Sequence, residues 1–138
     1  MAVQKTYTMI KPDGVRNGHI GEIVNRFERA GLVVERMEMG MVTPEQAAAN
    51  YAEHEGKPFY EPLVEFMESG PIVALRVAGN RVIEGFRSLA GATDPTTAAP
   101  GTIRGDLARD WGLKVQQNLV HGSDSPESAQ RELALWFD

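Results

Sequence analysis

Ile72-Val73-Ala74-Leu75-Arg76-Val77 has five apolar residues and one polar one, with no alternation between them. A strand with one wet face alternates polar and apolar residues, so this run is predicted to occupy a buried position in a sheet. Its flanks carry helix signals. Before it, Phe59, Leu63, Phe66 and Met67 share one face of a helix that starts near Phe59 and ends at Gly70-Pro71. After it, Asn80 can cap a helix that turns Val82, Ile83, Phe86 and Leu89 inward.

Three more strands are expected around that one. Residues 5–10 are rich in β-branched and aromatic side chains and stop at the turn signal Lys11-Pro12-Asp13-Gly14. Ile20, Ile23, Val24 and Phe27 then recur at helical spacing up to Gly31. In residues 33–42, Met37, Met39 and Met41 alternate with Arg36, Glu38 and Gly40, and this methionine stripe is expected in the core. Thr43-Pro44-Glu45-Gln46 has capping-box spacing for a helix from Pro44 to about His54. Residues 115–120 make the fourth strand, and Ser125-Pro126-Glu127 opens a last helix with Ala129, Leu133, Trp136 and Phe137 on one face. The order β-α-β, helices, β-α-β implies an α+β fold: a ferredoxin-like two-layer sandwich with helices covering a four-stranded antiparallel sheet (βαββαβ).

A chain of 138 residues is expected to form one domain over residues 1–138. The absence of Cys removes disulfides and thiolate metal sites. Residues 1–10 lack the apolar core of a signal peptide, and no apolar run approaches the ~20 residues that cross a bilayer. A cytoplasmic protein with no membrane partner is expected. The formal charge of −5 opposes binding of nucleic acid, and the predicted strands lack the paired exposed aromatics of RNA-recognition sheets. A small anion is another matter, because Arg outnumbers Lys ten to four and its planar fork suits phosphate oxygens.

Of the three His residues, His19 and His54 lie in polar, surface-like settings. His121 stands where a strand runs out into Gly122-Ser123-Asp124-Ser125 ahead of a helix. A rigid element holds it there, and the neighbouring glycine leaves room for a bulky group. An ordinary imidazole titrates near ~6.5, so one ring nitrogen is available to attack while a carboxylate orients the other. Glu132, on the following helix, is placed to fold back toward it. Asn118 lies three residues before His121, and on a regular strand the two would face opposite ways. For both to serve one site, the strand must end or bulge between them.

Residues 91–105 are rich in Gly, Pro, Thr and Asp, and a connection of about 15 residues is long enough to be functional. Gly101-Thr102-Ile103-Arg104-Gly105-Asp106, with Arg87 and Thr93 ahead of it, suits a di- or triphosphate. Equally, either Arg taken singly suits a salt bridge to Asp94 or Asp106. No Walker motif is present.

From Thr6 to Phe137 the chain resembles the nucleoside diphosphate kinase family. The likeness is carried by Ile10-Lys11-Pro12-Asp13-Gly14-Val15, Ser69-Gly70-Pro71, Pro100-Gly101-Thr102-Ile103-Arg104-Gly105-Asp106 and Asn118-Leu119-Val120-His121-Gly122-Ser123-Asp124-Ser125. The resemblance implies Mg²⁺ carried by nucleoside di- and triphosphates, and ping-pong phosphoryl transfer. His121 would be the nucleophile, with Glu132 and Ser123 orienting it. Lys11, Tyr51, Arg87, Thr93 and Arg104 would surround the phosphates, and Asn118 with Lys11 would reach the sugar hydroxyl. Phe59 would stack on the base with Val115 on its other side, which tolerates any nucleobase because each has a π-face. Self-association as a homo-oligomer, a tetramer or hexamer, also follows by resemblance.

The chain departs from the family pattern in three places. The segment between Asp106 and Val115 is longer than usual, Ala92 and Asp94 replace a common Glu and Asn, and the chain ends soon after Trp136-Phe137. A non-catalytic nucleotide sensor on the same fold should have lost at least one site residue, and none is missing here.

Overall fold

The computed structural model describes residues 3–52, 55–108 and 117–137. Its elements run β1 (Gln4–Ile10), α1 (Pro12–Arg16), α2 (Ile20–Arg29), β2 (Val33–Gly40), α3 (Pro44–Asn50), α4 (Tyr60–Met67), β3 (Ile72–Gly79), α5 (Val82–Ala90), α6 (Ile103–Leu107), β4 (Val120–Gly122) and α7 (Pro126–Trp136). The strands form one antiparallel sheet in the order β2-β3-β1-β4. This is the expected ferredoxin-like arrangement, with β1 and β3 central.

The centre of the sheet is apolar because helices lie against both of its faces. Val73, Leu75 and Val77 of β3 pack with Ile23 and Phe27 of α2 and with Val82, Ile83 and Phe86 of α5. The alternate residues Ile72 and Ala74, with Tyr7 and Met9 of β1, pack with Ala47 of α3, Met67 of α4 and partly buried side chains of α7. Residues 72–77 therefore do not alternate: neither face meets water.

The edge strand behaves differently. Met37 and Met39 are 51% and 60% exposed, and Met41 beyond the strand is exposed too, so the methionine stripe is not core. Alternation records which way these side chains point, and among the described residues nothing covers the methionines fully, although Val34 on the same face packs against the core. The strand also stops at Gly40 rather than at residue 42, and it bulges between Val34 and Arg36.

Helix boundaries follow their caps. Thr43 and Gln46 form the capping box foreseen, which starts α3 at Pro44, and α3 ends at Asn50. His54 lies outside the described residues. The turn expected at Lys11-Pro12-Asp13-Gly14 is the start of a short helix, α1, with Pro12 in its first turn. The cap of α5 is Arg81, in the left-handed region at φ 54°, and not Asn80. Phe59 precedes α4 as its N-cap and is 49% exposed, so it is no part of the core. The fourth strand is shorter than expected and starts at Val120; residues 115–116 lie outside the described residues. Among the described residues no helix is long and apolar enough to cross a membrane.

Candidate active site at the end of the central strands

The site forms where β1 and β4 end side by side. Lys11 directly follows β1, and its backbone N–H donates to the Leu119 carbonyl at 2.7 Å, which ties residues 117–120 to that end of the sheet. Leu119 has φ 74°, an uncommon left-handed conformation for a branched side chain. Its side chain is buried in the core beside α5 and α6. The left-handed residue breaks the strand alternation between Asn118 and His121, as sharing one cleft requires.

Beyond that turn, β4 pairs with β1 so that His121 lies opposite Met9, on the α7 side of the sheet. Its Nε2 is 2.9 Å from Glu132 Oε1. Ser123 Oγ donates to the same oxygen at 2.8 Å. Burial works to raise the Glu132 carboxyl, but the hydrogen bonds from His121 and Ser123 and the nearby charges prevail and hold it below its ordinary value. Glu132 is thus an ionised, buried acceptor.

On the other side of His121 opens a cavity of about 610 Å³, lined by Lys11, Arg87, Thr93, Arg104, Asn118 and Asp124 among others. Lys11 Nζ donates to Asn118 Oδ1 at 2.8 Å, and Asn118 Nδ2 donates to the Thr93 carbonyl at 2.8 Å. Burial lowers the Lys11 ammonium to about 8, Arg104 pushes the same way, and Asp13 opposes both. Arg104 makes no salt bridge with Asp94 or Asp106. Its guanidinium donates to the carbonyls of Asn118 (3.1 Å), Gly91 (3.0 Å) and Val120 (2.7 Å). Asp106 instead pairs with Arg26 at 3.0 Å, and Asp94 caps the Thr96 amide at 2.9 Å. Burial, with Arg87 nearby, lowers Arg104 to about 10. Three cations and one carboxylate therefore face the cavity of an acidic chain.

Tyr51, the C-cap of α3, is buried and lines a smaller recess of about 240 Å³ that it shares with His121 and Glu132. Burial raises its hydroxyl to about 12. The structure thus brings together Lys11, Tyr51, Arg87, Thr93, Arg104, Asn118, His121, Ser123 and Glu132. Phe59 is not among the residues lining either space, and Val115 lies outside the described residues. Asp13 was missed: it reads as a turn residue in sequence, yet it is buried beneath the cavity with its carboxylate on the Leu119 amide. Its closeness to Lys11 in a segment leaving a buried strand was the available signal.

A buried carboxylate holding one nitrogen of an imidazole, next to a cationic cavity, is an arrangement suited to holding a phosphate against a histidine nucleophile. The nucleoside diphosphate kinase profile matches residues 4–138. The chain is 57% identical over 135 residues to a nucleoside diphosphate kinase of Thermobifida fusca, covering 98% of this chain and 97% of that one. With that of Mycobacterium tuberculosis it shares 56% over 135 residues, covering 97% and 96%. A halophilic nucleoside diphosphate kinase from Halobacterium salinarum, solved in complex with CDP, superposes with a TM-score of 0.91 at 45% identity, covering 99% of this chain and 89% of that one. The chain belongs to the nucleoside diphosphate kinase family. It is an enzyme that moves the terminal phosphoryl group of a nucleoside triphosphate to a nucleoside diphosphate, in two half-reactions through a phosphohistidine.

Proposed function

We propose that His121 is the residue phosphorylated. The observation that carries this is the hydrogen-bonded chain Ser123–Glu132–His121 ending at the cationic cavity. An ionised carboxylate only accepts hydrogen bonds, so the ring proton sits on Nε2 and the lone pair on Nδ1. Nδ1 attacks the terminal phosphorus of the triphosphate. As the N–P bond forms, the bond from that phosphorus to the bridging oxygen breaks, and the oxygen keeps the electron pair and leaves on the diphosphate. The ring becomes positively charged, and Glu132 stabilises that charge without itself taking the proton. In the second half-reaction a terminal oxygen of the acceptor diphosphate attacks the phosphorus and His121 is regenerated.

Lys11, Arg87 and Arg104 offset charge on the outer phosphate oxygens, with Thr93 and Tyr51 as hydroxyl partners. Asn118 and Lys11 meet the sugar hydroxyl. The half-exposed ring of Phe59 supports base stacking, with Val115 opposite, and stacking accepts any base. Mg²⁺ would enter on the nucleotide phosphates and offset their charge there. The CDP of the halophilic relative supports a nucleoside diphosphate as ligand here.

Residues 1–138 work as one domain in the cytoplasm, and the acidic charge leaves nucleic acid out of its partners. The exposed methionines of edge strand β2 support a homo-oligomer, a tetramer or hexamer, in which they are buried.

Incubation with γ-labelled ATP alone tests the central assignment. The chain is expected to take up acid-labile, base-stable label, to lose it to added nucleoside diphosphate, and to stay unlabelled as His121→Ala. Label on the Ala variant would move the nucleophile elsewhere.

A further inference from the structure

Asp13 does nothing in the transfer just described, yet it is 3% exposed and lies beneath the cavity. Burying a carboxylate is costly unless its partners compensate. Oδ2 accepts from the Leu119 amide at 3.1 Å, while the Leu119 carbonyl accepts from the Lys11 amide at 2.7 Å. The two peptide groups of the left-handed residue are thus held from one short segment, residues 11–13. Gly14 fits the same place: a Cβ there would come 3.2 Å from the Leu119 carbonyl oxygen and 2.7 Å from Ile10. A non-glycine residue at φ 74° is strained, so it persists only where its surroundings insist on it.

We propose that Asp13 is a positioning residue for phosphoryl transfer: by clamping the Leu119 amide it fixes the turn that brings Asn118 and His121 to one cleft, and its charge balances that of Lys11. The inference rests on the roles given above to Lys11 and His121. Among the described residues, the groups facing Lys11 include Asp13 of α1, Arg104 of α6 and the hydrogen-bond partner Asn118, with Arg87 of α5, His121 of β4 and Asp124 around the same cavity. Asp13 acts on Lys11 in the direction opposite to Arg104. Removing its charge favours the neutral amine, so Lys11 should lose its proton at lower pH.

Asp13→Asn separates the two roles, because its amide oxygen can still accept from Leu119 while the charge is gone. The chain has only four lysines, Lys5, Lys11, Lys57 and Lys114, so ¹³C-lysine labelling gives four resonances, and Lys11→Met assigns the one wanted. In Asp13→Asn the Lys11 resonance is expected to titrate about one pH unit lower. The alkaline limb of His121 phosphorylation by ATP should move down with it, leaving the plateau rate within a few-fold. Asp13→Ala, folded by circular dichroism, should also lower the plateau by about tenfold, since the clamp is lost. A Lys11 titration unmoved in Asp13→Asn, or a rate profile scaled down without shifting, would overturn the proposal. Failure of the His121 assignment shows separately, as label surviving His121→Ala, and leaves the lysine titration untouched.

Discussion

Arg104→Ala should damage the fold as well as the chemistry. The guanidinium spends Nε, Nη1 and Nη2 on the carbonyls of Asn118, Gly91 and Val120, which belong to the segments on either side of the cavity. A hydrogen bond from a charged donor contributes ~1.5–3 kcal/mol when well buried. Arg104 is only partly buried, and water entering the cavity can replace part of each bond, so about 1 kcal/mol apiece and about 3 kcal/mol in all is expected. Against a domain stability of roughly 5–15 kcal/mol this lowers the melting temperature by about 10 °C. Loss of a cation aimed at the transferring phosphoryl group should further reduce turnover by about 10²–10³. Arg104→Lys restores the charge but cannot span three carbonyls, so it should recover part of the turnover and little of the stability. Urea unfolding followed by circular dichroism, at an unchanged m value, gives the first quantity, and transfer from ATP to a nucleoside diphosphate gives the second. An Ala variant that unfolds within ~0.5 kcal/mol of the parent would refute the bracing role.

A Cβ on Gly122 would clash with the edge of the Phe86 ring, which packs edge-on to Phe27 at 5.8 Å, so Gly122→Ala should cost ~1–3 kcal/mol and displace His121 enough to slow its labelling. Gly21→Ala, a helix position open to solvent, is the control and should be neutral or stabilising. Glu132, held below 4.5 in the folded chain, contributes stability that is present above that value and is lost as pH falls through the folded one. Below pH 4.5 the parent should therefore lose stability more steeply than Glu132→Gln; parallel acid curves would contradict the shift.

What could be read from sequence depended on how local its cause was. The capping box at Thr43 and Gln46 is set within four residues and was legible in full. Residues 72–77 were legible because burial on two faces erases alternation. The methionines of β2 were not: amphipathicity says which way a side chain points, and coverage depends on which other surface arrives. Phe59 fits an apolar helical spacing in sequence, yet it precedes α4 as its N-cap and stays half-exposed. Asn80 yielded the cap of α5 to Arg81 because the chain turns left-handed there, a preference that the side chain does not announce. The candidate site residues come from helices, strand ends and loops spread along the chain; spacing linked Glu132 to His121 and grouped Arg87, Thr93 and Arg104, and motif resemblance tied the two groups together. Spacing alone raised the right question about Asn118 and His121, and Leu119 answers it. Asp13 stayed hidden because its partner is a backbone amide 106 positions away.

The anchorage of Leu119 also bears on how freely the chain can change length. Residues 118–122 take their register from contacts with β1, residues 11–13 and α7, all outside the stretch that leads into them. With those anchors in place, a change of length upstream of Gln117 is expected to disturb residues 118–122 little.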